Sequence, residues 1–501
     1  MVLLLFVILL SLAIFVIFFL RIRNETHRPP GPPGIPFIGN LHQLGNTNPH
    51  LHLWKLSKQY GPLMFLRLGS IPTLVVSSAN IAKEVLKNHD LQVSSRPSLV
   101  GQQKLSYNGL DVAFTPYGEY WREIRKICVL HLFNSKHVQS FRSIREDEVM
   151  KMIKRISSSA SSNKIINLSS TSISFTSNLI CKVAFGKRCE EEEEEESSDQ
   201  RSRFHELLNE AQAMLGTFFF SDYFPLMGWV DRLSGLLWRL EKNFKEFDIF
   251  YQQLIDEHLD PNRPNPEQHD IIDVLLRIMK NPNSFSISIT FAHIKAILMN
   301  IFIAGTDTSA ATLVWAMTEL SKNPRVMNKV QEEIRNIHGE KSFINEDDTQ
   351  ELPYLKAVIK ETFRLYMPAP LLVPRETTQS CNIEGYVIQP KTLVYINAWA
   401  IGRDPEVWEN PEEFYPERFL GSSIDFRGKD FELIPFGAGR RICPGIEMGA
   451  VTVDLALANL LHVFDWELSP GTEKEDIDND VIPGITMHKK NALCLVAKNC
   501  I

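Results

Sequence analysis

The chain has 501 residues, 44% hydrophobic and 23% charged, an ordinary globular composition with ample apolar surface for a large core. A formal charge of -7 and a pI near 6.1 leave no basic excess for phosphates, which excludes a nucleic-acid partner. Seven cysteines, odd in number and without a Cys-x-x-Cys pair, indicate neither a zinc site nor a disulfide framework; most are expected to be free thiols in a reducing compartment.

Met1 to Leu20 is apolar apart from Ser11, and about 20 such residues span a bilayer's hydrocarbon core. Arg21, Arg23 and Arg28 follow while no charged side chain precedes, so the positive-inside rule keeps the bulk of the chain cytosolic. A cleaved signal peptide would need a basic n-region, a shorter apolar core and a small-residue cleavage site, and all three are missing. The sequon Asn24-Glu25-Thr26 then lies idle on the cytosolic side. The expected organisation is a single-pass transmembrane anchor at 1–20, a basic and proline-rich hinge at 21–36, and one large domain at 37–501. Pro29-Pro30-Gly31-Pro32-Pro33-Gly34 stiffens the hinge, because proline fixes φ.

Residues 62–78 read as two short strands joined at Gly69-Ser70. Helical periodicity follows at about 79–89, 117–131, 138–158, 201–215, 234–258, 268–280, 290–322, 324–337 and 353–366. β signals return near 371–397 and 482–497, so the expected class is mainly α with minor β (α+β). Glu190 to Glu196 is an unbroken acidic run that should stay solvated through self-repulsion; a calcium site would need turn glycines and spaced ligands. Phe218, Phe219, Phe220, Tyr223, Phe224 and Trp229 form an aromatic cluster that suits either a core or a lipid headgroup region.

The helix expected over 290–322 would be about 50 Å long. At its middle, Ala304-Gly305-Thr306-Asp307-Thr308-Ser309 places glycine and hydroxyl groups inside an apolar helix, which lowers helix propensity and implies another demand. A threonine bonded back to its own helix is the bland alternative. Glu361 and Arg364 share a helical face at i, i+3 spacing, and Pro416-Glu417-Arg418-Phe419 follows later. Phe436-Gly437-Ala438-Gly439-Arg440-Arg441-Ile442-Cys443-Pro444-Gly445 then sets one cysteine on a glycine-rich loop ahead of an apolar helical stretch at 446–461. The helix N-terminus and Arg441 favour the thiolate, and the glycines let amides approach the sulfur. Such a thiolate is a strong axial ligand for haem iron; the alternative is a buried structural cysteine.

The pattern Phe-x-x-Gly-x-Arg-x-Cys-x-Gly resembles the haem-binding signature of the cytochrome P450 family, and the likeness runs along essentially the whole chain. The resemblance implies that family's fold, with a long central helix over the haem and small β-sheets. It also implies haem b, iron protoporphyrin IX, with the Cys443 thiolate as axial ligand. Trp121 and Arg125, in Trp-Arg-Glu-Ile-Arg, together with Arg375 and Arg441, match the family's propionate partners, since guanidinium forks suit carboxylates. Ala304 and Phe436 match positions against the haem. Asp307 and Thr308 match the catalytic pair on a helix that opens slightly to admit oxygen: Thr308 hydrogen-bonds dioxygen and Asp307 relays protons. Glu361, Arg364 and Arg418 match a structural triad behind the haem-binding loop. Asn300, Ala369, Leu371, Leu372 and Ile485 fall where the family draws its substrate pocket.

The implied activity is that of a plant microsomal, A-type haem-thiolate monooxygenase on the endoplasmic reticulum membrane, with its catalytic domain on the cytosolic face. It would hydroxylate a small lipophilic specialised metabolite such as a terpenoid, a phenylpropanoid or an amino-acid-derived oxime. Electrons would come from NADPH–cytochrome P450 reductase docking near Arg122, Lys126 and Arg440, with cytochrome b5 as a further partner. An isomerase or dehydratase of the same fold needing no reductase, and a non-catalytic haem-binding membrane scaffold, are the alternatives; the intact Asp307-Thr308 pair speaks against both.

Overall fold

The computed structural model describes residues 28–45, 48–162, 164–188, 198–264, 268–281, 285–339 and 341–500. The expected anchor at 1–20, the first part of the hinge and the acidic run at 190–196 lie outside them. The part of the hinge that is described is laid on the first strand: Phe65 N–H donates to Pro30 O at 2.9 Å, and Asn40 Nδ2 donates to Pro32 O at 3.0 Å.

The longest helix, Phe291–Lys322, has 32 residues and runs about 48 Å. Being apolar on every side, it has to lie in the core. Between Ile294 and Leu320 its burial is interrupted at Asn300, Ala304, Gly305 and Thr308 alone. Helices Leu168–Phe185, Pro353–Leu365 and Ile446–Val463 pack against it. Both Phe291–Lys322 and Ile446–Val463 are long and apolar enough to cross a bilayer, yet 78% of each apolar window is buried inside the protein. They are core helices.

Among the described residues, four small sheets complete the architecture. In the largest, Leu63–Leu68 pairs antiparallel with Ile71–Val76 from Leu63↔Val76 to Leu68↔Ile71, turning at Gly69 with φ +58. Ile71–Val76 then runs parallel to Leu393–Ile396, which pairs with Arg375–Glu376. A three-stranded sheet joins Ile166–Asn167, Cys494–Asn499 and Phe464–Leu468. Two hairpins, Cys381–Ile383 with Tyr386–Ile388 and Val481–Ile482 with His488–Lys489, account for the rest.

The elements expected from periodicity are present within a few residues, and among the described residues several helices appear that periodicity did not indicate, the longest being Leu168–Phe185 and Pro49–Tyr60. Leu168–Phe185 is rich in serine, threonine and β-branched residues, all poor helix formers, so tertiary burial makes this helix. Pro49–Tyr60 begins Pro-His-Leu-His-Leu, an alternation that imitates a strand. Cys128, Cys381, Cys443, Cys494 and Cys500 are free thiols. Cys181 is disulfide-bonded, so most of the cysteines are free thiols, as expected, but not all.

Candidate active site

The interruptions in the core helix define the site. Asn300, Ala304 and Thr308 recur every four residues, which places them on one face, and Ala304 is exposed in the middle of an otherwise buried helix. Gly305 lies beside them because an added Cβ would stand 2.6 Å from Ile180 Cδ1 of the neighbouring helix. The helix assignment is continuous through this turn. Thr308 Oγ1 donates to Ala304 O at 2.8 Å, so its hydroxyl is bonded back to its own helix. Asp307, 1% exposed, turns away from the open face and meets His488, whose Nε2 lies 2.5 Å from Asp307 Oδ1.

Cys443 sits on a loop closed by its own N–H, which donates to Phe436 O at 2.9 Å. Gly437 and Gly439 both have φ +70, left-handed backbone that other residues enter at a cost. At Gly439 the space is closed as well, since an added Cβ would stand 2.7 Å from Asp90 Oδ1. Phe436 packs edge-on against Phe363 at 5.4 Å and against Phe426 at 5.5 Å. Burial pushes the Cys443 thiol above its ordinary range, while the Gly445 N–H and the Arg125 charge pull it back. The favourable charge near the sulfur is therefore Arg125, not Arg441 as the sequence suggested. Coordination to a metal would favour the thiolate further, because a metal-bound thiol is deprotonated outright.

Arg441 looks elsewhere. It is 8% exposed, donates to Ser94 O at 2.8 Å and Thr115 O at 2.6 Å, and stacks on Trp121 at 4.1 Å. Trp121 Nε1 donates to Val112 O at 3.0 Å. Arg375 donates to Asp90 Oδ1 at 3.1 Å and Ala438 O at 2.8 Å. A further guanidinium, Arg96, donates to Ala113 O, Val373 O and Pro374 O; nothing in its sequence surroundings marked it out. Burial, then repulsion from Arg375, pushes Arg441 down to about 9. Burial also lowers Arg96, with Arg441 and Arg375 adding repulsion, and burial lowers Arg375 and Arg125. The carboxylates set against these four cations are Asp90 and Asp111. Asp111, itself pushed up to about 6 by burial, is held by Asn300 Nδ2 at 2.8 Å.

The remaining expected residues fall in two groups. Glu361, Arg364 and Arg418 come together: Arg364 donates twice to Glu361 at 2.7 Å, and Arg418 Nε donates to Glu361 Oε1 at 3.0 Å. Leu371, Leu372 and Ile485 line a cavity of about 140 Å³ together with Gln102, Asp222 and Thr486. Asn300 and Ala369 do not line it. Both ends of the Asn300 amide are taken up, since its Oδ1 also accepts from Val112 N–H and Ala113 N–H at 3.2 Å.

The chain matches the Cytochrome P450 family over residues 29–496. The chain belongs to the cytochrome P450 family. It is 52% identical to 5-OH-xanthotoxin synthase of Ammi majus, over 98% of each chain. It is 53% identical to 6,7,8-trihydroxycoumarin synthase of Pastinaca sativa, over 94% of this chain and 93% of that one. Strychnine-11-hydroxylase of Strychnos nux-vomica is 49% identical over 94% and 91%. A zebra fish cytochrome P450 solved with abiraterone is similar in structure, with TM-score 0.74 and 25% identity over 91% of this chain and 99% of that one.

Family and fold make this protein a haem-dependent oxidoreductase with a cysteine thiolate as axial ligand, served by a redox partner such as a reductase and acting on a small substrate. The residues present fit the haem. Four buried or half-buried guanidiniums against two carboxylates leave room for a dianion, and two propionates supply one. Arg125 has no hydrogen-bond or ion-pair partner among the described residues, and its charge acts on Cys443. Ala304, exposed between Asn300 and Thr308, leaves an open face on the core helix for a flat ring.

Proposed function

We propose that the protein hydroxylates a planar, lipophilic aromatic metabolite of the coumarin class, using one atom of dioxygen and NADPH-derived electrons. The observation that carries this class is the 52–53% identity to two enzymes named for hydroxylated coumarin-type products. A phenylpropanoid-type ring is therefore favoured over a terpenoid or an oxime. The cavity lined by Leu371, Leu372 and Ile485 with Gln102 and Thr486 suits a flat apolar body carrying a few polar substituents.

Cys443 would hold the haem iron, and Arg125, Arg375, Arg441 and Trp121 would serve its propionates, with Ala304 and Phe436 as apolar neighbours. When bound, haem supplies the activation of dioxygen, one atom entering the substrate and the other leaving as water. The chain's own task is proton supply in a dry site. Thr308 Oγ1 gives up its bond to Ala304 O and donates toward the open face. Asp307, the adjacent residue, acts as a relay: its carboxylate takes up a proton and passes it on toward Thr308. The apolar lining keeps bulk water out, so protons arrive by these groups rather than at random.

The protein is further read as anchored by residues 1–20 in the endoplasmic reticulum membrane, with residues 37–501 on the cytosolic side, and served by NADPH–cytochrome P450 reductase with cytochrome b5 as a second donor. Two exposed apolar segments support a bilayer partner. Phe37 is 92% exposed and Leu226 94%, and their segments meet where Ser70 N–H donates to Tyr223 O at 2.9 Å and Gly69 N–H to Ile38 O at 3.1 Å. Trp229 and Leu233 extend the same patch, whose aromatic and aliphatic side chains suit the headgroup region.

Co-expression with a plant reductase in yeast tests the reading. Microsomes should convert a coumarin to a hydroxylated product only with NADPH, and the reduced carbon monoxide complex should show the absorption of thiolate-ligated haem. Conversion of a terpenoid or oxime instead would displace the substrate class. Turnover without NADPH and reductase would favour the isomerase or dehydratase, and a spectrum of histidine-ligated haem would sink the assignment altogether.

A further inference from the structure

Asp307 is joined to a residue 181 positions away. His488 opens the short strand His488–Lys489, paired with Val481–Ile482, and the turn between them carries Ile485 and Thr486 of the cavity wall. The hairpin does not need His488 for docking. Trp315 Nε1 donates to Met487 O at 2.8 Å, and Met487 N–H donates to Pro368 O at 2.8 Å.

The other charged groups on these elements are engaged elsewhere. Lys489 pairs with Asp478 at 3.1 Å and Lys490 with Asp480 at 3.9 Å. Lys322 pairs with Glu319 at 3.9 Å, and Glu319 also accepts from Tyr366 Oη at 2.6 Å. Burial lowers the His488 pKa, but the Asp307 charge and hydrogen bond outweigh it and the net shift is upward. Asp307 Oδ2 is buried and makes no hydrogen bond. A buried carboxylate with one oxygen bare would neutralise or swing without a cation on the other.

We propose that His488 is the positioning residue of Asp307: it holds Oδ1 and leaves Oδ2 as the atom that takes up and gives back the proton. This rests on the reading of Asp307 as the proton relay. Placement matters at that atom, because a misplacement of about 1 Å in a catalytic group costs on the order of 10²-fold in rate.

The test uses the full-length, haem-loaded protein with its reductase, in four variants: Asp307→Asn, His488→Phe, His488→Gln, and Asp307→Asn with His488→Phe. Product formed per NADPH should fall about tenfold or more in His488→Phe. The double variant should be no worse than Asp307→Asn, and His488→Gln, whose amide still donates, should recover most of the loss. A second readout is independent of turnover. The folded His488 pKa is raised, so the pair's stability is present below about 6.5 and is lost as pH rises through the folded value. The wild-type Tm advantage over His488→Phe should therefore be larger at pH 6 than at pH 9, and this pH dependence should vanish in the Asp307→Asn background. If Asp307→Asn uncouples turnover while His488→Phe does not, the role given to His488 is wrong and Asp307 stands. If Asp307→Asn stays fully coupled, the Asp307 reading fails instead. A Tm loss equal at both pH values, with coupling unchanged, would make His488 a packing residue only and overturn the proposal.

Discussion

Arg364 grips both carboxylate oxygens of Glu361 at 2.7 Å, with neither side chain exposed. The same guanidinium donates to Gly402 O and Pro411 O at 2.6 Å and to Glu413 O at 2.9 Å, so all its donors are used. Replacing Arg364 with Lys keeps the charge and loses the fork. Glu361 would keep Arg418 and the Tyr415 N–H but lose the paired bonds of the fork, and the three carbonyls would lose donors. Each buried carbonyl left without a donor costs about 1–3 kcal/mol, read as a lower Tm and a lower haem content after purification.

Arg125 invites the opposite expectation. With no protein partner to orphan, Arg125→Leu should leave the melting of the haem-free protein unchanged. Removing one charge-assisted bond to a propionate costs about 1.5–3 kcal/mol, so haem should be retained roughly 10- to 100-fold less tightly. Arg441→Leu, which strips donors from Ser94 O and Thr115 O, should weaken both forms. Haem-to-protein ratios and melting curves with and without haem separate the two.

Thr308 donates to Ala304 O and to no other protein group, so Thr308→Val removes one bond at a cost of about 1 kcal/mol and keeps the shape. The fold should tolerate it. NADPH should still be consumed while product per NADPH falls and hydrogen peroxide rises. Unchanged product per NADPH with the valine would overturn the role given to Thr308.

Asp222 lines the cavity and is pushed up to about 7, chiefly by burial and further by Asp231, against a hydrogen bond from Val100 N–H. A carboxyl whose folded pKa exceeds its unfolded value stabilises the fold fully below the unfolded value, near 4, and that contribution is lost as pH rises through 7. Asp222→Asn keeps the acceptor for Val100 and removes the ionisation. It should leave Tm unchanged at pH 4 and raise it at pH 8; a variant with equal shifts at both pH values would contradict the burial argument.

Much of this was legible in the residues, for reasons that differ from place to place. The Cys443 loop was legible because its demands are local: left-handed backbone at Gly437 and Gly439, a turn, then a helix. The core helix was legible because its apolarity runs all the way round. Arg96 and His488 were not, since an isolated arginine or histidine gains its meaning from what the fold brings beside it, here Arg441 and Asp307. Arg441 was assigned to the sulfur by sequence proximity, whereas its side chain turns to Ser94 and Thr115. The helix Leu168–Phe185 escaped notice because its local propensity opposes what packing against the core helix imposes. Asn300 was placed in the pocket by its position, but its amide is already committed to Asp111, Val112 and Ala113.

Arg364 and Arg418 hold the stretch from Gly402 to Glu413 by carbonyl oxygens. Every amino acid offers that oxygen, so these bonds ask nothing of the side chains along the stretch. Its outer face can therefore change charge and shape from one relative to another while the path of the backbone stays put. Substitutions along that face should therefore leave the thiol behind it undisturbed.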